Sequence, residues 1–124
     1  MKHHGRCHCK EITFEFESPE AVTVYRCNCS ICEMTGFLHL IIPISDFTLL
    51  SGTPSTYTFN THIARHDFCP TCGIKSFYTP RSNPDGVSIN FRCVDRSTFT
   101  DVETRDFDGQ NWEDNADALK HLSE

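Results

Sequence analysis

The spacing of the cysteines constrains this chain more than any other feature of its sequence. Seven of the eight cysteines fall into three short clusters, and the eighth stands alone. In chain order these are Cys7-His8-Cys9, Cys27-Asn28-Cys29-Ser30-Ile31-Cys32, Cys69-Pro70-Thr71-Cys72-Gly73 and the single Cys93. Because thiols two or three residues apart can chelate one ion with little loss of chain entropy, the pattern favours metal sites over disulfides.

The rest of the sequence also favours reduced cysteines. The first ten residues contain no apolar stretch of the kind found in secretory signals. No apolar run approaches the ~18 residues that span a bilayer. We therefore expect a protein that is neither exported nor membrane-bound and lies in the cytoplasm, or in the nucleus of a eukaryote. Disulfides are rare in those compartments, so clustered cysteines indicate metal or redox chemistry.

Composition sets the class of protein and excludes some partners. A chain of 124 residues fits one domain, 1–124, and 38% hydrophobic residues, with ten phenylalanines, can form a folded core. The formal net charge of −6 leaves no basic patch for phosphates. Direct nucleic-acid binding and anionic membrane surfaces are therefore not expected. The sequence does not define an oligomeric state.

Zinc geometry predicts the local backbone at these clusters. Two sulfurs on one tetrahedral zinc lie about 3.8 Å apart, whereas alternate residues of a flat strand lie about 6.6 Å apart. Each C-x-C pair is therefore predicted where the strand bends, or with its two side chains leaning together. Gly73, directly after the C-x-x-C pair, can adopt the positive φ that turns backbone N–H groups toward the sulfurs.

The seven clustered thiols divide into four and three. One C-x-C pair and the C-x-x-C pair can close a structural site with four cysteine ligands. The C-x-C-x-x-C triplet then holds a second zinc with one open position, which is typical of catalytic or substrate-binding sites. Alternatively, His39, His62 or His66 completes the second site and makes it structural. The residues alone leave both possibilities open.

Hydrophobic alternation predicts several short β-strands and one helix. The predicted strands cover residues 12–16, 22–26, 37–42, 56–60, 74–78 and 87–91. Trp112, Ala116, Leu119 and Leu122 follow helical spacing at the end of the chain. The expected fold is mainly β, with antiparallel sheets stapled by zinc and a short C-terminal helix.

The order of these motifs resembles the glutathione-dependent formaldehyde-activating enzyme family. The resemblance rests on Gly5-Arg6-Cys7-His8-Cys9, Cys27-Asn28-Cys29-Ser30-Ile31-Cys32 and Phe68-Cys69-Pro70-Thr71-Cys72-Gly73, and it extends roughly from Gly5 to Trp112. Two further stretches resemble its centromere protein V branch in particular. These are Tyr57-Thr58-Phe59-Asn60-Thr61-His62 and Ser76-Phe77-Tyr78-Thr79-Pro80-Arg81-Ser82-Asn83-Pro84.

This resemblance implies a fold, a ligand set and an activity. The fold would consist of folded-over antiparallel sheets of the Mss4-like type. The structural zinc would be held by Cys7, Cys9, Cys69 and Cys72, and the catalytic zinc by Cys27, Cys29 and Cys32. The activity would be the formation or carriage of S-hydroxymethylglutathione from glutathione and formaldehyde, a carbon–sulfur lyase type of reaction. Glutathione or another small thiol would be the partner.

The sequence is also compatible with other functions, and it contains further candidate residues. One alternative is a non-catalytic, zinc-stabilised protein-interaction module of the centromere protein V kind, and another is a thiol redox or metal-buffering protein. Candidates for binding a glutathione carboxylate, otherwise solvated surface residues, are His62, Arg65, His66, Arg81 and Arg92. Cys93 is expected in the core, Phe77 and Tyr78 in the core or a pocket wall, and His8 at the surface.

Overall fold

Two β-sheets contain most of the regular structure in the computed structural model, which describes residues 1–124. In chain order the strands are β1 (Lys2–Arg6), β2 (Thr13–Glu17), β3 (Ala21–Cys27), β4 (Leu38–Pro43), β5 (Phe47–Ser51), β6 (Ser55–Tyr57), β7 (Arg65–Phe68), β8 (Phe77–Thr79), β9 (Gly86–Asn90) and β10 (Asp101–Phe107). The three-stranded sheet has the order β1-β2-β5, and the seven-stranded sheet has the order β10-β3-β4-β9-β8-β7-β6.

Helical structure is limited to short segments. There are two α-helices, α1 (Ser30–Thr35) and α2 (Trp112–Asn115). The 3₁₀ segments are Ile44–Asp46, Phe91–Cys93, Arg96–Thr98, Gly109–Asn111 and Ala116–Ser123. Neither α-helix has the length or the apolar character needed to cross a membrane.

The hydrophobic core lies between the two sheets. Strand β2 alternates as its sequence predicts, so Phe14 and Phe16 are buried while the glutamates between and after them face outward. The ring of Phe14 meets that of Phe77, on the seven-stranded sheet, edge-on at 5.6 Å between centroids. Strand β9 lies inside the seven-stranded sheet, and all five of its residues are buried.

The C-terminal segment packs back onto the seven-stranded sheet. The side-chain amide of buried Asn83 donates to the carbonyl oxygens of Leu119 and Lys120 and to the hydroxyl of Ser123. The hydroxyl of Ser123 in turn donates to Asp85. These contacts fix residues 109–124 over the sheet, where they form one wall of the cavity described below.

The predicted fold class is confirmed: the protein is mainly β, of the Mss4-like type, with two sheets and a short C-terminal helix. Three details differ. Strand β10 pairs parallel with β3, so the sheets are not wholly antiparallel. The C-terminal helix is a single α-helical turn followed by 3₁₀ structure. Helix α1 and strands β1, β5, β7 and β10 are additional elements that hydrophobic periodicity did not predict.

Candidate metal centres and the adjoining cavity

Four of the clustered cysteines meet where the two sheets approach each other. Cys7 and Cys9 lie in the turn after β1, and Cys69 and Cys72 lie in the connection between β7 and β8. All four Sγ atoms lie within 4.8 Å of one another. The Sγ of Cys9 is 3.6 Å from the Sγ atoms of both Cys7 and Cys69. These separations match the edge of a zinc–sulfur tetrahedron and are far longer than a disulfide bond.

Backbone N–H groups point at the sulfurs of this group. The N–H of Ile12 donates to Cys7 Sγ at 3.3 Å, and those of Thr71 and Cys72 donate to Cys69 Sγ at 3.4 Å. Gly73 has φ +78°, which confirms the conformation predicted from its place after the C-x-x-C pair. Its N–H closes the turn on the carbonyl of Cys69 at 2.9 Å.

Backbone N–H donors stabilise a thiolate, the form that binds metal, whereas burial and the hydrogen bonds with Glu11 and Cys9 raise the pKa of the Cys69 thiol to about 12. Hydrogen bonds from the backbone N–H groups of Cys9 and Ile74 lower the pKa of the Cys72 thiol to about 6. The sulfur separations, the donors and the soft, anionic ligand set together fit zinc. This group of four, Cys7, Cys9, Cys69 and Cys72, can therefore hold one zinc ion.

The other three cysteines meet where a strand runs into a helix. Cys27 is the last residue of β3, Cys29 precedes α1 as its N-cap, and Cys32 lies in the first turn of α1. Their Sγ atoms lie within 4.8 Å of one another, and the N–H of Cys29 donates to Cys27 Sγ at 3.5 Å. Both C-x-C pairs therefore lie where the backbone leaves a strand, as zinc geometry predicts.

Electrostatics favour a cation at the group of three. Hydrogen bonds from the Cys27 and Cys32 thiols hold the pKa of Cys29 far below its ordinary value. Hydrogen bonds to Cys27 and Cys29, together with burial, push the pKa of Cys32 far above its ordinary value. Without a positive ion, three sulfurs this close cannot all ionise, whereas a bound zinc would let all three become thiolates. The donor set thus fits a second zinc with three cysteine ligands.

Gly109 explains how the C-terminal segment can lie against this group. A Cβ atom at this position would stand 2.3 Å from Cys27 Sγ and 3.0 Å from the Cβ of Cys29. Only glycine permits so close an approach without moving the sulfur. The segment is also tied to the loop after β3, because Asn28 accepts a hydrogen bond from the N–H of Gln110 at 2.9 Å.

A buried histidine supports the group of three from behind. His39 Nε2 lies 3.2 Å from Cys32 Sγ, and its Nδ1 lies 2.9 Å from the hydroxyl of Ser88. Burial lowers the pKa of His39 to about 3, so the ring is neutral. Because the hydroxyl of Ser88 can donate to Nδ1, Nε2–H is free to donate to the sulfur. His39 thus contacts one cysteine, and no histidine belongs to either group of ligand atoms.

A cavity of about 350 Å³ opens over the three cysteines. Cys27, Cys29 and Cys32 line it together with His39 and His66 from β4 and β7. Other parts of its wall come from the loop between β6 and β7, from the loop after β8 and from the C-terminal segment. These contribute Phe59, Arg81, Gln110 and Trp112, and Tyr78 of β8 completes this part of the wall. From the group of four, Cys7 lines a separate and more open groove of about 820 Å³.

Two of the candidate polar side chains reach this cavity. His66 is buried, and its ring lies between those of Tyr78 and Phe59. The guanidinium of Arg81 stacks on Trp112 at 3.6 Å from the ring centroid and forms an ion pair with Glu113. These residues carry the polar and cationic character of the cavity wall.

The remaining candidates lie elsewhere. His62 and Arg65 are exposed and do not line the cavity. Arg92 donates to the carbonyl of Gly36 at 2.7 Å, and with Cys93 it lines a separate, open groove. Cys93 is partly buried rather than enclosed in the core. Phe77 is in the core, Tyr78 forms cavity wall as well as core, and His8 is exposed.

Sequence reasoning missed two residues near the group of three, Gly109 and Lys75. Lys75 is only 7% exposed, and its Nζ lies 2.7 Å from Nδ1 of His66. A lysine within a predicted strand is normally assigned to solvent, and nothing in the local pattern distinguishes this one. Its position three residues after the C-x-x-C pair was the only available signal.

Comparisons with known proteins agree with this arrangement. Residues 2–109 match the sequence profile of the family described as glutathione-dependent formaldehyde-activating enzyme. The crystal structure of a Rhodobacter sphaeroides protein, a Northeast Structural Genomics target, is similar with a TM-score of 0.70 and 32% sequence identity. That match covers 84% of this chain and 100% of the other. Neither finding supports the centromere protein V branch in particular. The chain belongs to the glutathione-dependent formaldehyde-activating enzyme family.

Proposed function

We propose that the two groups of cysteines hold two zinc ions with different tasks. Cys7, Cys9, Cys69 and Cys72 would complete a structural site with no position left for a ligand. Cys27, Cys29 and Cys32 would hold the second zinc and leave one position facing the cavity. His39 would position Cys32 through the contact to its sulfur.

The function that this arrangement supports best is capture of glutathione and its combination with formaldehyde to give S-hydroxymethylglutathione. Family membership implies glutathione as the substrate partner. The single observation that carries the finer proposal is the cavity over the group of three cysteines. Its volume of about 350 Å³ lies within the ~300–1,000 Å³ of typical small-molecule sites.

The chemistry divides between the metal and the protein. Zinc, when bound, would supply the positive charge that favours the thiolate form of a sulfur ligand. The protein side chains hold the peptide and exclude bulk water. Arg81 is positioned to bind a carboxylate, since its guanidinium is fixed on Trp112 at the cavity wall. The thiolate of glutathione then adds to the carbonyl carbon of formaldehyde, which is the step of a carbon–sulfur lyase run in the direction of synthesis.

Calorimetry on the zinc-loaded protein tests whether the sulfur is what binds. Glutathione should bind, and S-methylglutathione, which keeps both carboxylates but offers only a thioether, should bind at least ten times more weakly. Equal affinity for the two would show that the sulfur does not reach the cysteine group. Failure of both to bind would favour the alternative of a protein-interaction module, for which the structure offers no observation of its own.

Exchange NMR distinguishes a catalyst from a carrier. Thiols add to formaldehyde without help, so the measured quantity is the rate at which glutathione and S-hydroxymethylglutathione interconvert with and without protein. We expect acceleration at substoichiometric amounts of zinc-loaded protein. An unchanged rate together with tight glutathione binding would leave the carrier function and remove the catalytic one.

A further inference from the structure

A buried lysine without a carboxylate partner lies behind the cavity wall. Lys75 is 7% exposed, and none of the ion pairs of the chain includes it. Its ammonium group lies 3.9 Å from the ring centroid of Tyr78 and 4.9 Å from that of Phe37. Removing an ammonium group from water is costly, so this residue lowers the stability of the fold. Such a cost indicates that the residue serves another purpose.

The polar partner of Lys75 is His66. Lys75 Nζ lies 2.7 Å from His66 Nδ1. An ammonium group can only donate, so Nδ1 must accept, and the proton of the neutral imidazole is then on Nε2. The charge states agree with this geometry: burial lowers the pKa of Lys75 only to about 8, and burial and then Lys75 lower that of His66 to about 4.

The ring of His66 is also fixed in orientation. It stacks on Tyr78 with 5.0 Å between ring centroids and an interplanar angle of 12°. Phe59 stacks on it at 5.3 Å and 22°. Both faces of the His66 ring are in aromatic contact and Nδ1 is hydrogen-bonded. The remaining polar atom of the ring is therefore Nε2.

The ring edge that carries Nε2 is the part of the ring open to space, and the space beside His66 is the cavity. His66 lines the cavity together with the three cysteines. No protein group bonds to Nε2 of His66. The one side-chain N or O atom that is both fully buried and without a partner is the hydroxyl of Ser76, so Nε2 is not fully enclosed. His66 Nε2 therefore keeps contact with open space. A 95% buried side chain thus presents a single, unpaired N–H to the space over Cys27, Cys29 and Cys32.

We propose that His66 binds the oxygen of the aldehyde through Nε2–H and protonates it, and that Lys75 is the positioning residue that fixes this tautomer. This proposal rests on the proposed function. It assigns the residue that binds the aldehyde oxygen, while the cysteine site binds the sulfur of glutathione. His66 would be a catalytic residue because it touches the reacting oxygen.

The step balances with the groups present. A lone pair of the glutathione thiolate forms the C–S bond, and the π pair of the carbonyl moves onto oxygen. The Nε2 proton passes to that oxygen, giving the hydroxymethyl group, while Lys75 gives a proton to Nδ1. The proton that the glutathione thiol released on ionisation is then taken up at Nε2 through solvent, while Nδ1 returns its proton to Lys75, so that the ammonium group and the starting tautomer are both restored. Glutathione and formaldehyde thus give S-hydroxymethylglutathione with no other reactant.

His66→Phe tests the proposal because it keeps the stacked ring and removes the donor. Binding of glutathione should stay within about threefold of wild type, since His66 is not assigned to the sulfur. The interconversion rate measured by exchange NMR should fall about 100-fold, the scale reported for loss of one oxyanion donor. His66→Gln, whose side-chain amide restores an N–H, should recover part of that loss.

Nitrogen NMR of the imidazole gives a readout that does not depend on activity. In the zinc-loaded wild type, His66 should show a protonated Nε2 and an unprotonated Nδ1. Lys75→Met, which fills the same space without charge, should keep the fold, mix the tautomers and slow the interconversion about tenfold.

The outcomes separate this proposal from the proposed function. A wild type that accelerates the reaction and a His66→Phe variant that does so equally well would overturn the role of His66 alone. A proton on Nδ1 in the wild type would overturn the role of Lys75 even if no variant folds. A wild type with no acceleration would overturn the catalytic function and this proposal together.

Discussion

The two cysteine groups offer the same ligand chemistry to two sites for which we propose opposite characters. In the group of four, Cys9 and Cys69 are 60 residues apart in the chain, and the contact joins the turn after β1 to the connection between β7 and β8. The group of three takes all its ligands from six consecutive residues and faces a cavity. Under the proposed division of tasks, chain separation and the space in front of the sulfurs, rather than ligand type, distinguish the staple from the reactive site.

The largest effect is expected from removing a ligand of the staple. Cys72→Ser should give insoluble protein or a large loss of thermal stability, because structural zinc contributes ~10–16 kcal/mol of apparent binding energy in zinc-finger peptides and typical domains are stable by only ~5–15 kcal/mol. Cys29→Ser should stay folded, lose about one zinc and lose glutathione binding. Thermal unfolding and zinc content of both variants, measured side by side, check this.

Two results would contradict the proposed division of tasks between the two cysteine groups. The division of tasks is wrong if Cys29→Ser unfolds as readily as Cys72→Ser. It is equally wrong if Cys29→Ser keeps both zinc ions and full glutathione affinity, since the group of three would then not be the functional site.

An intermediate effect is expected at the closest backbone contact to the group of three. Gly109→Ala would place a Cβ 2.3 Å from Cys27 Sγ, so the C-terminal segment or the sulfur must shift. Such overpacking typically costs about 1–3 kcal/mol, which lowers the melting temperature by roughly 3–10 °C in a domain of this size. One zinc should become easier to remove with a chelator while the other is retained.

Asp117→Ala, an exposed change in the same C-terminal segment, serves as the control for Gly109→Ala and should leave both zinc ions in place. If Gly109→Ala instead loosened both metals equally, the two groups would not be independent of each other.

The smallest effect is expected at Arg81. The Glu113 side chain is 79% exposed, so its ion pair with Arg81 adds little stability, and Arg81→Ala should lower the melting temperature by only about 1–5 °C even with loss of the stack on Trp112. Loss of a charged hydrogen bond to a carboxylate should weaken glutathione binding by about fivefold, as measured by calorimetry. Arg26→Ala removes another exposed ion pair, with Asp106, away from the cavity, and it should not alter binding. Unchanged binding in Arg81→Ala would exclude Arg81 from the glutathione site.

The predictable part of the fold is the part with apolar alternation. Residues 12–16 and 87–91 were predicted as strands because apolar residues alternate along them. The structure buries those apolar side chains in the core. Strand β10 was missed because six of its seven residues are exposed, and all but one of these six are polar. Its parallel pairing with β3 therefore leaves no hydrophobic pattern in the sequence. Helix α1 has six residues, too few to establish a helical period.

For the site, sequence spacing predicted what lies close along the chain. The cysteine clusters and the turn at Gly73 could be predicted because chelation and turn geometry are local. The pairing of Lys75 with His66 depends on the register between β7 and β8, and the contact of Gly109 with Cys27 depends on β10 lying beside β3. Neither register can be read from residue types alone, so these supporting residues required the structure.

We propose that the group of three, and not the group of four, accepts the sulfur of glutathione. Replacing zinc with cobalt makes the sulfur ligands visible, because each cobalt–thiolate bond adds to a charge-transfer absorption band. Titrating the cobalt-substituted protein with glutathione should increase that band as one more sulfur joins the seven of the protein, and S-methylglutathione should leave it unchanged. A spectrum that does not respond to glutathione would contradict the account.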